Sequence, residues 1–157
     1  MSRTTRYQAA IMLEEKILLI KHQEHHHGRA YWLLPGGGIE AGETEIQCVQ
    51  REVREETHLE VKVEALLLDD PAPPAEKGKY QRFKTYLCNS TTTQAVPGYE
   101  PEPEAAAKYA IAEVGWYNLY DESTWNELIL NDPITAPTLR RIRKALNQMK
   151  SSSVEGS

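Results

Sequence analysis

Three glutamates carry the strongest chemical signal in the chain. Glu52, Glu55 and Glu56 stand at i, i+3 and i+4, a spacing that gathers their carboxylates on one face of a helix. Like charges so placed repel by roughly a few tenths of a kcal/mol per pair. Arg51 and Arg54 offset part of this, and a hard divalent cation, which prefers oxygen ligands, would use all three carboxylates together. A solvated acidic face is the alternative for any glutamate-rich helix. Here the helix follows Pro35-Gly36-Gly37-Gly38-Ile39-Glu40-Ala41-Gly42-Glu43, a loop whose glycines let main chain approach a ligand closely, and that context favours the cation.

The elements that position these residues can be read from capping signals and periodicity. Thr44 and Gln47 have the Thr-x-x-Gln spacing of a capping box, which predicts a helix from there to about Thr57. Ile46, Val49 and Val53 supply its apolar face. Residues 6–13 and 16–22 read as two strands of a hairpin around Glu14-Glu15, and residues 31–34 as a strand feeding the glycines. Residues 61–68, 82–88 and 114–119 are further strands. Residues 23–29, with His25, His26 and His27, read as a polar loop, and residues 69–78 as a proline-rich one; with His22 these histidines form a cluster read as solvated, a transition-metal site being the alternative. Residues 89–108 read as a long mobile loop. Helices are expected at 122–130 and 137–150, followed by a disordered tail at 151–157. Strands interleaved with a few helices predict an α/β (α+β) domain with a mixed sheet.

The chain has 157 residues, 40% hydrophobic and 26% charged, so a single globular domain over residues 1–150 is expected. No apolar run exceeds five residues, which rules out a spanning helix, and the N-terminal residues lack a secretory pattern, which points to the cytoplasm. Cys48 and Cys88 have no partner spacing and read as small buried hydrophobes. A formal net charge of −5 disfavours general nucleic-acid binding. Phosphate chemistry stays open if a bound metal supplies positive charge, and six of the 23 acids lie between residues 37 and 59.

Gly37, five residues, Glu43, seven residues, then Arg51-Glu52-Val53-Arg54-Glu55-Glu56-Thr57-His58-Leu59 resembles the Nudix box. The resemblance implies an α/β/α sandwich with a central mixed sheet. It also implies Mg²⁺-dependent hydrolysis of a nucleoside diphosphate linked to another moiety, with Mn²⁺ as a possible substitute. Glu52, Glu55 and Glu56 resemble the metal-ligating carboxylates of the family, with the carbonyl of Gly36 as an additional ligand. Arg51 and Glu43 resemble the pair that orients the loop against the helix, and Glu55 or Glu56 would organise or deprotonate the attacking water. His58 replaces the family glycine that ends the helix in a left-handed conformation, at a cost of about 1 kcal/mol. Ala110 stands six residues before Trp116, where some relatives carry a further glutamate, so that role would pass to Glu104 or Glu102 on the long loop.

Substrate choice lies outside the box. Pro74, sixteen residues beyond His58, resembles the proline marker of ADP-ribose pyrophosphatases. A MutT-like nucleoside triphosphate hydrolase, a dinucleoside polyphosphate hydrolase and a non-catalytic nucleotide-binding regulatory domain are the alternatives. Trp32 would line a base pocket or serve as core. Arg29, with Lys21, would meet terminal phosphates at the rim, and Glu104 would act from the long loop. The basic residues Arg140, Arg141, Arg143, Lys144 and Lys150 read as a solvated helix face. The expected partner is a small nucleotide, without membrane, and the resemblance admits a homodimer.

Overall fold

Continuous apolar runs along the first two strands, at residues 9–13 and 17–20, build the sheet from which the rest follows. The computed structural model describes residues 4–155 apart from residues 77, 79, 92, 93 and 100–102, with backbone alone for residues 153–155. Strand β1 (Thr5–Leu13) and strand β2 (Lys16–Glu24) form the predicted hairpin, in register Met12↔Ile17. Its turn places Glu14 at φ 57°. Beyond the hairpin end the two strands part. Strand β3 (Ala30–Leu33) pairs with β2, and the short strand β4 (Gly36–Gly37) pairs with β1 at Tyr7↔Gly37 and Gln8↔Gly36.

Helix α1 (Glu45–Thr57) follows and carries the glutamates. Strands β5 (Lys62–Pro71) and β6 (Arg82–Asn89) are antiparallel to each other, and β6 lies parallel to β1. A short helix α2 (Pro103–Ala106) precedes strand β7 (Tyr109–Asn118), which pairs with the outer side of β2. The result is a seven-stranded mixed sheet. A 3₁₀ turn (Glu122–Thr124), helix α3 (Glu127–Leu130) and helix α4 (Thr135–Glu155) complete the chain.

Neighbouring residues on a strand face opposite sides of a sheet, and the core divides accordingly. Ala9, Ile11 and Leu18 pack with Val49 and Val53 of α1, whereas Ala10, Met12, Ile17 and Leu19 pack with Ile129, Leu139 and Ile142 of α3 and α4. Helices on both faces of a mixed sheet make the expected α/β/α sandwich. No described helix is long and apolar enough to cross a membrane.

Several boundaries differ from the sequence reading for identifiable reasons. β7 starts at Tyr109 because β2 continues to Glu24 and offers it partners. β5 runs on to Pro71, a residue tolerated at the end of this edge strand. The helix expected at 122–130 is broken into a 3₁₀ turn and α3, capped separately by Asp121 and Asn126. In α4, Asp132 Oδ1 accepts the N–H groups of Ile134 and Thr135, both at 2.8 Å, so the helix begins at Thr135. It continues through Glu155 where a disordered tail is expected, since no glycine or proline interrupts residues 138–155.

The 89–108 connection is not one open loop. Val96, Gly98 and Tyr99 donate their N–H groups to the carbonyls of Thr57, Glu56 and Glu55, at 3.1, 2.8 and 2.9 Å. These bonds satisfy carbonyls that the end of α1 leaves without helical partners. Gly98 permits the approach, because a Cβ there would overlap the Glu55 carbonyl.

Candidate functional site

Helix α1 begins as its sequence dictates. The Thr44 hydroxyl accepts the Gln47 N–H at 3.1 Å, and the Gln47 side chain accepts the Thr44 N–H at 2.9 Å. The helix ends on His58, whose φ of 62° is left-handed and whose N–H donates to the Arg54 carbonyl at 3.0 Å. Between these caps the buried stripe comprises Cys48, Val49, Glu52, Val53, Glu56 and Thr57. Two of the three predicted ligands therefore lie in the stripe that packs against the sheet. Ile46, expected on the apolar face, is instead 47% exposed on the first turn, at the margin of that stripe.

Arg51 organises the carboxylates. Its guanidinium grips Glu43 through Nε at 2.6 Å and Nη2 at 3.0 Å, and Nη2 also donates to the Gly38 carbonyl at 3.1 Å. Nη1 donates to Glu52 Oε1 at 3.0 Å and Glu55 Oε2 at 3.1 Å, with Glu40 at 3.6 Å. Hydrogen bonding to Glu43 raises the Arg51 pKa well above its ordinary value despite partial burial. The same contact holds the Glu43 carboxyl below the usual range. Burial, with Glu52 and Glu43 nearby, pushes the Cys48 thiol up to about 12, so it stays protonated. Arg54 is turned away to Glu60 at 2.7 Å.

Glu56 takes a different direction. It is fully buried and its Oε1 accepts the Gly36 N–H at 2.8 Å. Gly37 is equally tied to α1, since a Cβ built on it would lie 2.5 Å from Glu52 Oε1. The glycine pair is thus the place where main chain and carboxylates meet, and a side chain at Gly37 would fill the space the Glu52 carboxylate occupies.

Gly36 and Gly37 also line a cavity of about 500 Å³ that opens where β1 and β2 part. Arg6 and Gln8 of β1, Tyr31 of β3, Glu104 of α2, Tyr109 of β7 and Thr135 of α4 contribute to its walls. Arg6 is 9% exposed and donates to the Leu34 carbonyl at 2.7 Å and to Gln8 Oε1 at 3.2 Å. Gln8 in turn donates to Thr85 Oγ1 at 2.9 Å. Burial opposes the Arg6 charge, but Tyr80, Glu56 and Glu52 more than compensate and raise its pKa.

The predicted residues therefore separate into groups. Glu43, Arg51, Glu52, Glu55, Glu56 and Gly36 come together at the junction of β4 and α1. Glu104 lies on the cavity wall. Trp32 belongs to the core, 4% exposed, with its ring edge-on to Tyr117 at 5.3 Å and outside the cavity lining. Arg29 is exposed on the β2–β3 turn, also outside the lining. Glu102 lies outside the described residues. Arg6 and Gln8 escaped the sequence reading; their signal was the presence of polar residues at buried positions of an apolar strand, and His22, expected to be solvated with the other histidines, is buried as well.

All the oxygens offered at the junction are hard donors, the kind that suits Mg²⁺ and Mn²⁺. Arg51 Nη1 shows that Glu52 and Glu55 already converge on one cationic point. The donor set thus fits a divalent ion in its chemistry. Among the described residues, no three His, Cys, Asp or Glu side chains stand as a finished metal cage, because Glu56 is turned onto Gly36 while the other two hold Arg51.

Known proteins resemble this chain at two levels. The family model described as NUDIX domain matches residues 3–134. The NAD-capped RNA hydrolase NudC of Photobacterium profundum is 47% identical over 53 residues, 34% of this chain and 19% of that protein. The ADP-ribose pyrophosphatase of Methanocaldococcus jannaschii is 46% identical over 54 residues, 34% of this chain and 31% of that protein. The matched segments span only about a fifth to a third of these curated relatives. Among solved structures, a NUDIX hydrolase from Nitrosomonas europaea shares the fold, with a TM-score of 0.67 over 92% of this chain and 72% of that one at 21% identity.

Proposed function

The chain belongs to the NUDIX domain family, and on that premise we propose that it is a divalent-metal-dependent hydrolase of a nucleoside diphosphate linked to another moiety. One observation carries this reading. Glu52 and Glu55 share the cationic Nη1 of Arg51 immediately behind a glycine pair that lines a cavity large enough for a nucleotide.

Glu52, Glu55 and Glu56, with the Gly36 carbonyl, would hold Mg²⁺, for which Mn²⁺ can substitute. Bound there, the ion would neutralise the pyrophosphate, polarise a phosphoryl oxygen and lower the pKa of a bound water. Glu43 fixes Arg51, which fixes Glu52 and Glu55, an orienting task that sets ligand geometry. Glu56 holds the glycine main chain against α1 through the Gly36 N–H. Glu55 is the partly exposed carboxylate of the three, which supports it as the group that takes the proton from the attacking water. Arg6 contributes a buried positive charge on the cavity wall.

Two relatives support a nucleotide with a second moiety on its pyrophosphate, since their names describe NAD-capped RNA and ADP-ribose as what those proteins act on. The Pro74 spacing leans toward ADP-ribose. A small substrate is further supported by the state of the basic residues on α4. Arg140 and Arg143 are bound to Glu122, at 2.8 and 2.9 Å, and Arg141 pairs with Asp70, so much of that face's charge is already neutralised.

The test is a panel of ADP-ribose, diadenosine polyphosphates, nucleotide sugars and nucleoside triphosphates, incubated with Mg²⁺ or Mn²⁺ and read by product chromatography. Hydrolysis of a phosphoanhydride bond in at least one member, releasing a nucleoside phosphate, is expected. Inactivity across the panel would replace the hydrolase with a nucleotide-binding regulatory domain.

A further inference from the structure

His22 has no part in the carboxylate chemistry, and its surroundings are unusual for a core histidine. It is 3% exposed, it lines the cavity, and among the described residues neither ring nitrogen has a hydrogen-bond partner. A buried imidazole without partners forfeits hydrogen bonds that water supplied in the unfolded chain, a cost folded proteins rarely leave in place. Its ring is nevertheless held firmly, stacked on Tyr109 at 4.0 Å and 19°, and edge-on to Tyr31 at 5.4 Å and 71°. The pairing of β2 with β7 shifts register at this point, Lys21↔Glu113 being followed by His22↔Ile111, so that β7 carries the extra residue Ala112 opposite His22. The other clustered histidines do not join it. His25, His26 and His27 are exposed on the turn, with His25 Nε2 at 3.0 Å from the Ala106 carbonyl.

We propose that His22, framed by Tyr109 and Tyr31, is the specificity-determining residue that hydrogen-bonds the edge of an uncharged nucleobase in this cavity. The assignment rests on the nucleotide reading above and names the part of the substrate that enters beside β2. Burial, reinforced by the Arg6 charge, lowers the His22 pKa to about 3, so the ring is neutral near pH 7. A neutral imidazole offers one donor and one acceptor. That suits the amide-like and ring-nitrogen edge of a base, and it does not suit a phosphate, which calls for a cation. The aromatic walls supply π faces for the same planar group. The phosphates are then left to the part of the cavity where Gly36 and Gly37 adjoin the α1 carboxylates.

The test measures binding without a divalent cation, so that it does not depend on turnover. Nucleoside 5′-monophosphates carrying adenine, guanine, cytosine or uracil are titrated calorimetrically into the whole chain in EDTA, with ribose 5-phosphate as the probe lacking a base. Wild type should bind at least one monophosphate more tightly than ribose 5-phosphate. His22→Phe, which keeps a ring and removes the nitrogens, should weaken that monophosphate about tenfold, the worth of a hydrogen bond in a dry site. Ribose 5-phosphate affinity should be unchanged. Because the variant also removes unpaired polar atoms, its melting temperature without ligand should be equal to or above that of wild type. His22→Gln, which restores a donor and an acceptor, should recover part of the preference and carries the test if His22→Phe does not fold.

Equal affinity of wild type for ribose 5-phosphate and all four monophosphates would overturn the proposal. So would an unchanged preference in His22→Phe, or in His22→Gln alone if only that variant folds. A histidine-dependent base preference in a chain that hydrolyses nothing would fault the hydrolase reading and leave this one standing. Retained hydrolysis with an unchanged preference would do the reverse.

Discussion

Replacing Arg51 by glutamine removes five hydrogen bonds to oxygen from one place: two to Glu43, one each to Glu52, Glu55 and the Gly38 carbonyl. The Arg51 side chain is 15% exposed, and those of Glu43, Glu52 and Glu55 are 12%, 2% and 18% exposed, so solvent screens the cluster only in part. Removing one partner from a desolvated ion pair costs about 3–5 kcal/mol. The residual exposure puts the expected loss near the lower end, about 3 kcal/mol. At about 2–4 °C per kcal/mol for a chain of this size, the melting temperature should fall by about 6–12 °C. Arg51→Lys restores the charge and not the planar fork that holds Glu43 at both oxygens, so it should recover less than half of the loss. Thermal and urea unfolding followed by circular dichroism, in EDTA, measure both variants. A melting temperature for Arg51→Gln within about 2 °C of wild type would refute this reasoning, as would full recovery by lysine.

Three further perturbations test separate parts of the account. The Glu43 pKa is depressed in the folded chain below its ordinary 4.5, so its contribution to stability is present above that value and is lost as pH falls through the folded pKa. Glu43→Gln should accordingly flatten the acid limb of a stability-against-pH curve while lowering stability near pH 7. Gly37→Ala would drive a methyl into the Glu52 carboxylate; calorimetric titration should show Mg²⁺ affinity reduced by about 10–100-fold, with a small change in melting temperature. His58→Gly should raise stability by about 1 kcal/mol, because glycine accepts the left-handed φ of 62° without strain, and chemical unfolding reads that gain directly.

How much could be read from sequence depended on whether the cause was local. The Thr44–Gln47 capping box, the left-handed His58 and the Glu43–Arg51 pair are set by residues within a turn or two of one another, or by a motif of fixed spacing, and the structure has all three. The hairpin follows from two continuous apolar runs on either side of Glu14-Glu15, and their burial on both faces gives the two-faced core. The expectations that failed depended on distant partners. Trp32 reads equally well as pocket or core until the position of Tyr117 is known. Residues 94–99 read as open loop because nothing local signals that α1's terminal carbonyls would take up their N–H groups. His22 looked like one of a polar cluster, and only the parting of β1 from β2 separates it from His25, His26 and His27. Arg6 and Gln8 escaped notice for the same reason, since the cavity they line is formed by eight different elements.

The central claim is that the α1 carboxylates perform metal-assisted cleavage of a nucleotide pyrophosphate. The most direct measurement is turnover, in the presence and absence of Mg²⁺, of the panel member that wild type cleaves, followed by chromatography of the nucleotide product, for wild type, Glu55→Gln and Glu56→Gln, with folding verified by circular dichroism. Mg²⁺-dependent release of a nucleoside phosphate by wild type is expected, with a loss of at least about 100-fold in both folded variants. Turnover by either folded variant at near the wild-type rate, or wild-type turnover unaffected by removal of divalent cations, would contradict it.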